Sequence, residues 1–504
     1  MLGTKIILQF ILDNLVNLIS FVSTIILARA GGPEVLGLIG FVLAILGMMS
    51  FIGDLGLSQV HIKQVAGGYN LGYAAGVFYL LKLFLVFLIL IFSLIYFFFS
   101  DKVEVLGINY NYQLFFVALL FGFLFAYFGQ ALLLTFQARK EVIKYNIVLF
   151  FGRIAKLIVI LFAAVISFKL STVAAAYFFE GIIILAGAVF LLRKYPVKFP
   201  RRQDIKTYLI LTMPFILWVP LANFSGNIDR LILKNFWGLA EVGLFFAIQT
   251  FIILPQSLST AAMNLFFFPQ VSELTSSKQT DKLQDYTNAV VRYLNLVTIP
   301  LVILIIVFAK PLIILVLGNE FEEAFRILQI FSFAILVLTI SRPYSYVLLG
   351  SDYQKIVPIV NFFLLLIIFL LELIFIPKEL FGLALFGLGA KGAALASLVA
   401  WSVGLIIFAI YANKLLKVKF YYSIYKHLIA GGAMFGVLYF LFSENLQFFS
   451  IYNILFGILS LLIFFGTVFF FDELNKTDLK YFRKITKPGS FVSAIKGEWG
   501  KEVL

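Results

Sequence analysis

The chain has 504 residues, of which 62% are hydrophobic and 13% charged, with 61 phenylalanines and a mean hydropathy of +1.05. Soluble domains carry about 25% charged residues, so a set of water-soluble globular domains is excluded and lipid is the solvent. The absence of cysteine removes disulfides, thiolate metal sites and thiol nucleophiles, and the net charge of +14 is first a matter of membrane topology, not of nucleic acid.

A helix needs about 20 apolar residues to cross a bilayer, and the polar breaks cut the chain into fourteen such segments. They fall near 5–28, 35–57, 74–99, 112–136, 145–167, 171–192, 208–233, 241–266, 288–309, 325–349, 356–376, 388–412, 427–443 and 451–471. Internal Gly, Pro and Asn, and the lack of short alternating segments, set aside an outer-membrane barrel. The first segment has no basic leader and no small-residue cleavage site, so it is read as a span and not a removable signal. The predicted fold is an all-α polytopic membrane protein of about 14 transmembrane helices.

Placing both termini in the cytoplasm puts 25 of the 39 Lys and Arg residues on that side and 7 on the other, the bias that orients multi-pass proteins in the cell membrane. The same bias predicts attraction to anionic membrane lipids. The longest loop, the basic linker 193–207, divides the first twelve spans six and six. This gives an N-terminal lobe over 1–192, a C-terminal lobe over 208–412, two additional spans over 413–472 and a basic cytoplasmic tail over 473–504. The lobes repeat weakly. TIILARAGGPEVLGL (24–38) aligns with RLILKNFWGLAEVGL (230–244) at an offset of 206, pairing Gly32 with Gly238 and Gly37 with Gly243; FQARKEVIKYN (136–146) aligns with SDYQKIVPIVN (351–361) at 215. Six spans per repeat make the halves parallel, two six-helix lobes around a central cavity that opens alternately to each side.

The junctions also carry a resemblance. LARAGGPEVLGLIGFVLAI (27–45), IGDLGLSQVHIKQVAG (52–67), NIDRLILKNFWGLAEVGLF (227–245), FAKPLIILVLGNEFEEAFRILQI (308–330) and GLGAKGAALASLVAW (387–401) together resemble the polysaccharide-transport branch of the multidrug/oligosaccharidyl-lipid/polysaccharide exporter superfamily. The resemblance implies a flippase that moves a polyprenyl-(pyro)phosphate-linked sugar from the inner to the outer leaflet. The motifs are architectural and assign no binding residue. The chain is expected to act as a monomer.

An ionisable group at mid-bilayer costs about 2.5–3.5 kcal/mol or more, so each needs a reason. Asp13, Lys82, Arg153, Lys156 and Glu180 all lie in the first half. One reading makes Arg153, Lys156 and Lys82 a site for the phosphate or pyrophosphate of the carrier. The other pairs Glu180 with Arg153 or Lys156 as a fastener and lets Lys82 snorkel to the surface. Arg292 and Arg342 are further headgroup candidates near the cytoplasmic entrance. Gln9, Asp13, Asn17, Ser20 and Thr24 form one polar stripe on span one; Asn223 and Asn227 on span seven, and Gln249, Gln256, Thr260 and Asn264 on span eight, extend it. Asp13, Asn17, Asn223, Asn227, Gln249 and Gln256 are therefore predicted to line a hydrated cavity contacting sugar hydroxyls. Pro214, Pro220 and Pro255 are expected to bend spans seven and eight. Asp229, Arg230 and Glu372 read as interfacial or paired charges, and His61 as a solvated loop residue.

A cation-coupled multidrug or small-molecule antiporter of the same superfamily is the alternative, with Asp13 or Glu180 binding Na⁺ or H⁺. Embedded cations outnumber embedded acids in the first half, which disfavours cationic drugs. An enzyme is not expected: no Walker motif, metal-ligand cluster or catalytic triad is present, and no metal or other cofactor is called for.

Overall fold

The computed structural model describes residues 2–100, 110–139, 141–166, 168–213, 216, 224, 226–441 and 451–473. Asn223, Pro214, Pro220, the loop 101–109, the turn 442–450 and the tail beyond 473 lie outside these residues, as do the side chains of Gln9 and Pro255. Among the described residues ten helices are long and apolar enough to cross a membrane, and Leu239–Ile253 and Leu455–Phe470 are shorter apolar helices. The chain is an all-α polytopic membrane protein.

In chain order the helices are α1 (Leu2–Asp54), α2 (Leu57–Ala66), α3 (Leu71–Ser100), α4 (Tyr110–Ala138), α5 (Val142–Ile166), α6 (Leu170–Leu192), α7 (Arg202–Thr212), α8 (Ile228–Trp237), α9 (Leu239–Ala262), α10 (Phe268–Ser276), α11 (Thr280–Val307), α12 (Ala309–Leu317), α13 (Ala324–Leu349), α14 (Ile356–Phe375), α15 (Ala390–Leu416), α16 (Ile424–Leu441) and α17 (Ile451–Phe470). A π-helical turn, Met263–Phe267, follows α9, and a two-strand hairpin, Glu379–Leu380 with Leu383–Ala384, joins α14 to α15.

The 53 residues of α1 would reach about 80 Å if straight, against a hydrocarbon core of roughly 30 Å. The chain breaks at Gly32, where φ is 71° and ψ −177°, and Pro33 restarts the helix, so α1 holds the first two predicted spans. Gly238, 206 residues later, separates α8 from α9 with φ 93° and ψ −177°. The sequence repeat is thus a backbone repeat. Its two copies meet: a Cβ on Gly37 would lie 1.8 Å from the Leu239 carbonyl oxygen, and one on Gly243 would lie 1.9 Å from that of Pro33. Both the glycines and the carbonyls are related by the same offset of 206, so the contact is reciprocal.

The described chain falls into two compact units. One comprises Leu8–Leu254 with Phe369–Ala393; the other comprises Met1–Ile7, Pro255–Ile368 and Ala394–Leu504.

In the first unit α4 and α6 approach backbone to backbone. A Cβ on Gly181 would stand 2.2 Å from the Gly122 carbonyl oxygen, and one on Gly152 of α5 would meet Ile184 of α6 at 2.5 Å. Small residues permit such approach where lipid supplies no hydrophobic drive. The start of α5 is tied down at Glu141, which accepts from Arg139 Nε at 2.7 Å, from Lys144 Nζ at 2.6 Å and from the Tyr195 hydroxyl beyond α6. Burial pushes this carboxyl up, but the three bonds and the Lys144 charge hold it at about 2.

His61 is a correction to the sequence reading: it is fully buried, not solvated. Leu57, Val60 and His61 form the inner face of α2. The imidazole stacks on Phe78 with centroids 4.0 Å apart. Its Nε2 lies 2.9 Å from Thr135 Oγ1 and its Nδ1 3.3 Å from the Tyr208 hydroxyl, which itself donates to the Ala74 carbonyl. A neutral ring with its proton on Nδ1 satisfies every partner. Burial, and then the Lys82 charge, bring its pKa down to about 3.

In the second unit Phe267, Val271, Tyr344, Val347 and Phe408 belong to one core cluster, and the Tyr344 hydroxyl accepts from the Tyr421 backbone N–H at 2.9 Å. The last two spans, α16 and α17, pack on α11 through Leu296, Ile299, Ala430, Met434 and Phe464.

Candidate functional site

Three residues apart on α5, Arg153 and Lys156 share one helix face, and the close approach of α5 and α6 brings Glu180 to it. Arg153 Nη1 donates to Glu180 Oε1, and Lys156 Nζ lies 3.0 Å from Glu180 Oε2. Lys156 also stands 4.9 Å over the Tyr177 ring. Of the two pairings left open by the sequence, both are made. Glu180 and Lys156 are buried, whereas the Arg153 side chain is 30% exposed and its Nε has no partner among the described residues. Two cations thus share one carboxylate, and Arg153 is the more exposed of them.

Lys82 does not snorkel. Its ammonium is buried, 2.5 Å from Asp54 Oδ1 and 2.9 Å from the Gly53 carbonyl. Asp54 Oδ1 also accepts from the Ser58 backbone N–H at 3.2 Å and from its hydroxyl at 2.5 Å. Beside this pair lies a cavity of about 230 Å³ bordered by Ser50, Tyr127, Gln130 and Tyr145. Asp13 and Asn17 are half-buried on α1, and the charges of Asp13 and Arg153 both reach Tyr145. The first unit therefore holds Asp13, Lys82, Arg153, Lys156 and Glu180; Lys82 borders the cavity, Asp13, Arg153 and Lys156 lie on α1 and α5, which flank it, and Glu180 lies on α6.

Asn227 and Gln249 go elsewhere in the same unit. Arg230 Nη2 donates to Asn227 Oδ1 at 2.9 Å and its Nη1 to the Gly40 carbonyl at 3.2 Å; Gln249 Nε2 donates to Asp229 Oδ2 at 2.9 Å. Asp229 and Arg230 pair, at 3.7 Å, as the sequence suggested. Glu372 is not interfacial: it is 2% exposed, its Oε2 has no partner among the described residues, and the Asp229 charge acts on it. Sequence reasoning undervalued this acid. Its signal was a lone glutamate in the apolar run IIFLLELIF.

In the other unit Arg342 Nη1 donates to the Gln256 carbonyl at 3.0 Å, joining two predicted residues through backbone. Arg292 Nη2 donates to the Tyr293 hydroxyl at 3.1 Å and its guanidinium lies 4.9 Å over the same ring. Tyr293 borders an apolar groove of about 440 Å³, with Met263 and Phe267 of the π turn, Val297 and Leu301 of α11, and Ile335 of α13 along its walls. Such turns are frequent at functional sites.

The fold has solved counterparts. The lipid II flippase MurJ in an inward closed conformation is 15% identical, with a TM-score of 0.73 over 92% of this chain and 99% of that one. An inward-facing multidrug resistance MATE family transporter of the MOP superfamily is 15% identical, with a TM-score of 0.64 over 80% of this chain and 95% of that one. A MOP superfamily transporter from Pyrococcus furiosus is 13% identical, with a TM-score of 0.52 over 82% and 95%. No curated protein sequence matches the chain. The family profile MatE covers residues 214–374. The profile described as polysaccharide biosynthesis protein covers residues 2–275, more than half of the chain, and the chain therefore belongs to the polysaccharide biosynthesis protein family, the polysaccharide-transport branch of the exporter superfamily that its junction motifs resemble.

Proposed function

We propose that the protein is a flippase that carries a polyprenyl-(pyro)phosphate-linked oligosaccharide from the cytoplasmic to the outer leaflet of the cell membrane by alternating access. The observation that carries this reading is the Arg153–Glu180–Lys156 cluster, which sets two cations on one carboxylate in membrane-spanning helices and leaves the Arg153 side chain 30% exposed. Arg153 supplies the forked donor for a phosphate, while Lys156 neutralises Glu180 and fastens α5 to α6. Family membership and a lipid II flippase among the structural counterparts support the same reading. In this reading both termini face the cytoplasm, the protein works as a monomer, and its basic loops lie against anionic lipids.

Flipping of a labelled polyprenyl-pyrophosphate oligosaccharide in proteoliposomes tests it. Loss of a charge-assisted bond is worth about 1.5–3 kcal/mol, so Arg153→Ala should slow flipping roughly 10-fold to 150-fold, with Arg153→Lys recovering part of the rate. If Glu180→Gln restores the rate of Arg153→Ala, the cluster is only a fastener and the headgroup role fails.

A coupled mechanism has its own observation. Glu180 is engaged by two cations, whereas Glu372 keeps a buried, unpartnered carboxylate oxygen beside Asp229. Together with Asp13, that pair is where Na⁺ or H⁺ would act. A flipping rate indifferent to imposed Na⁺ and H⁺ gradients would reject coupling.

A further inference from the structure

We infer that the cavity bordered by α1, α2, α3, α4 and α5 is a subsite for a single neutral pyranose ring, the sugar nearest the carrier phosphate. The inference rests on the flippase reading and names where that substrate's glycan would be recognised.

The cavity holds about 230 Å³, below the roughly 300–1,000 Å³ of pockets for drug-sized ligands, which gives room for one ring and not for an oligosaccharide. Its charges cancel, because Lys82 and Asp54 are paired, so neither a phosphate nor a cationic drug finds a net attraction there. Three polar groups at its wall are nevertheless uncommitted. Asp54 Oδ1 takes three donors while Oδ2 takes none; the Gln130 amide and the Tyr145 hydroxyl have no hydrogen-bond partner among the described residues. One carboxylate acceptor, one amide that both donates and accepts, and one phenol are the complement of a sugar's vicinal hydroxyls, each of which donates once and accepts. The rings of Tyr127 and Tyr145 border the same space and offer apolar faces to the C–H side of a pyranose.

The wall is held rigidly, as a recognition site requires. A Cβ on Gly53 would lie 2.6 Å from the Tyr127 ring, so that ring is seated directly on α1, and its hydroxyl donates to the Ser50 carbonyl at 3.0 Å. Lys82 Nζ lies 5.2 Å over the same ring. The site is also placed for a glycan attached to a phosphate at Arg153. Tyr145 and Arg153 are eight residues apart on α5, about 12 Å along its axis, and the Arg153 charge reaches Tyr145.

The test measures binding by the full-length protein in nanodiscs of three lipids: polyprenyl phosphate, the same lipid carrying one glucose, and the same lipid carrying one N-acetylglucosamine. The wild type should prefer at least one glycosylated lipid over the bare one. Gln130→Ala and Tyr145→Phe should each cut that preference about threefold to tenfold, the worth of one neutral hydrogen bond, whereas Arg153→Ala should weaken all three lipids together. Asp54→Asn would disturb Lys82 and folding, so Tyr145→Phe, which removes one oxygen, is the decisive variant, with its unfolding temperature measured alongside. Equal wild-type binding of the three lipids, sensitive to Arg153→Ala, would overturn the subsite and leave the flippase reading standing. A wild-type preference untouched by Gln130→Ala and Tyr145→Phe would place sugar recognition elsewhere and also overturn it. If none of the three lipids binds, the flippase reading itself fails and the subsite with it.

Discussion

Gly37→Ala tests the contact between the two repeats. The added Cβ would stand 1.8 Å from the Leu239 carbonyl oxygen, against an ordinary contact of 3.4–4 Å, so α1 and α9 would have to part by roughly 1.6 Å. The obstacle is backbone, which cannot swing aside as a side chain can. Parting by even 0.5–1 Å forfeits about a quarter to a half of each van der Waals contact at the seam. It would also stretch the bond from Arg230 Nη1 to the Gly40 carbonyl, now 3.2 Å, one turn along α1. Overpacking of an adaptable core costs about 1–3 kcal/mol, and this rigid seam should cost more than about 3 kcal/mol. Thermal unfolding in detergent reads it, with Gly436→Ala in α16 as control, because a Cβ there meets nothing and gains up to about 1 kcal/mol of helix propensity. Gly243→Ala should act alike, and the double variant should lose less than the sum of the two, since one parting relieves both clashes. An unfolding temperature for Gly37→Ala equal to the wild type would refute the reciprocal contact.

Lys82→Met should destabilise the protein by about 3–5 kcal/mol by leaving Asp54 without its cation, and Asp54→Asn in the same chain should recover part of the loss; equal unfolding temperatures in all three forms would show that the pair contributes nothing. Because the His61 pKa is brought down to about 3 from an ordinary 6.5, the unfolded chain binds the extra proton between those values, so stability rises with pH across that window and falls on acidification, by at most about 1.4 kcal/mol per pH unit. His61→Gln should flatten the slope between pH 6.5 and 4.5, and parallel wild-type and variant curves would exclude His61 as its source. For topology, Phe381→Cys at the hairpin tip, where Phe381 is 95% exposed, should react with an impermeant thiol reagent on intact cells, while Lys198→Cys in the linker should not; the reverse pattern would invert the orientation.

Hydropathy located the spans because length and apolarity are local properties. The segments 171–192 and 356–376 agree with Leu170–Leu192 and Ile356–Phe375 to within a residue. Glycine spacing foretold more: the match of Gly32 with Gly238 and of Gly37 with Gly243 reappears as paired backbone angles and a reciprocal close approach. The pairing of charges was out of reach in the sequence. Arg153 and Lys156 are visibly on one face of α5, but Glu180 lies 27 residues from Arg153, and Asp54 lies 28 from Lys82, separations that only helix packing can close. His61 was misread because a polar break between two apolar runs looks like a loop; the spacing of Leu57, Val60 and His61 in LSQVHIKQVA was an inward-facing helical stripe. Glu372 was undervalued because position along a span says nothing about which way a side chain faces.

The stoichiometry of the α5–α6 cluster bears on its purpose. A fastener between two membrane helices needs one cation for one carboxylate, and a neutral pair keeps the lowest residual charge in the bilayer. Lys156 meets that need alone: it is as buried as Glu180, sits 3.0 Å from Oε2 and is further stabilised over Tyr177. Arg153 is then an added charge whose burial is incomplete and whose guanidinium is only partly bonded. For fastening, an aliphatic residue at 153 would be the cheaper choice, since a charge at that depth costs about 2.5–3.5 kcal/mol and a screened second bond to an occupied carboxylate returns less. At the other embedded ion pair of the first half, Lys82–Asp54, one cation faces one acid and the charges balance. The two sites thus differ in stoichiometry: the balanced pair borders the cavity, and the unbalanced cluster carries the second cation that the proposed headgroup role requires.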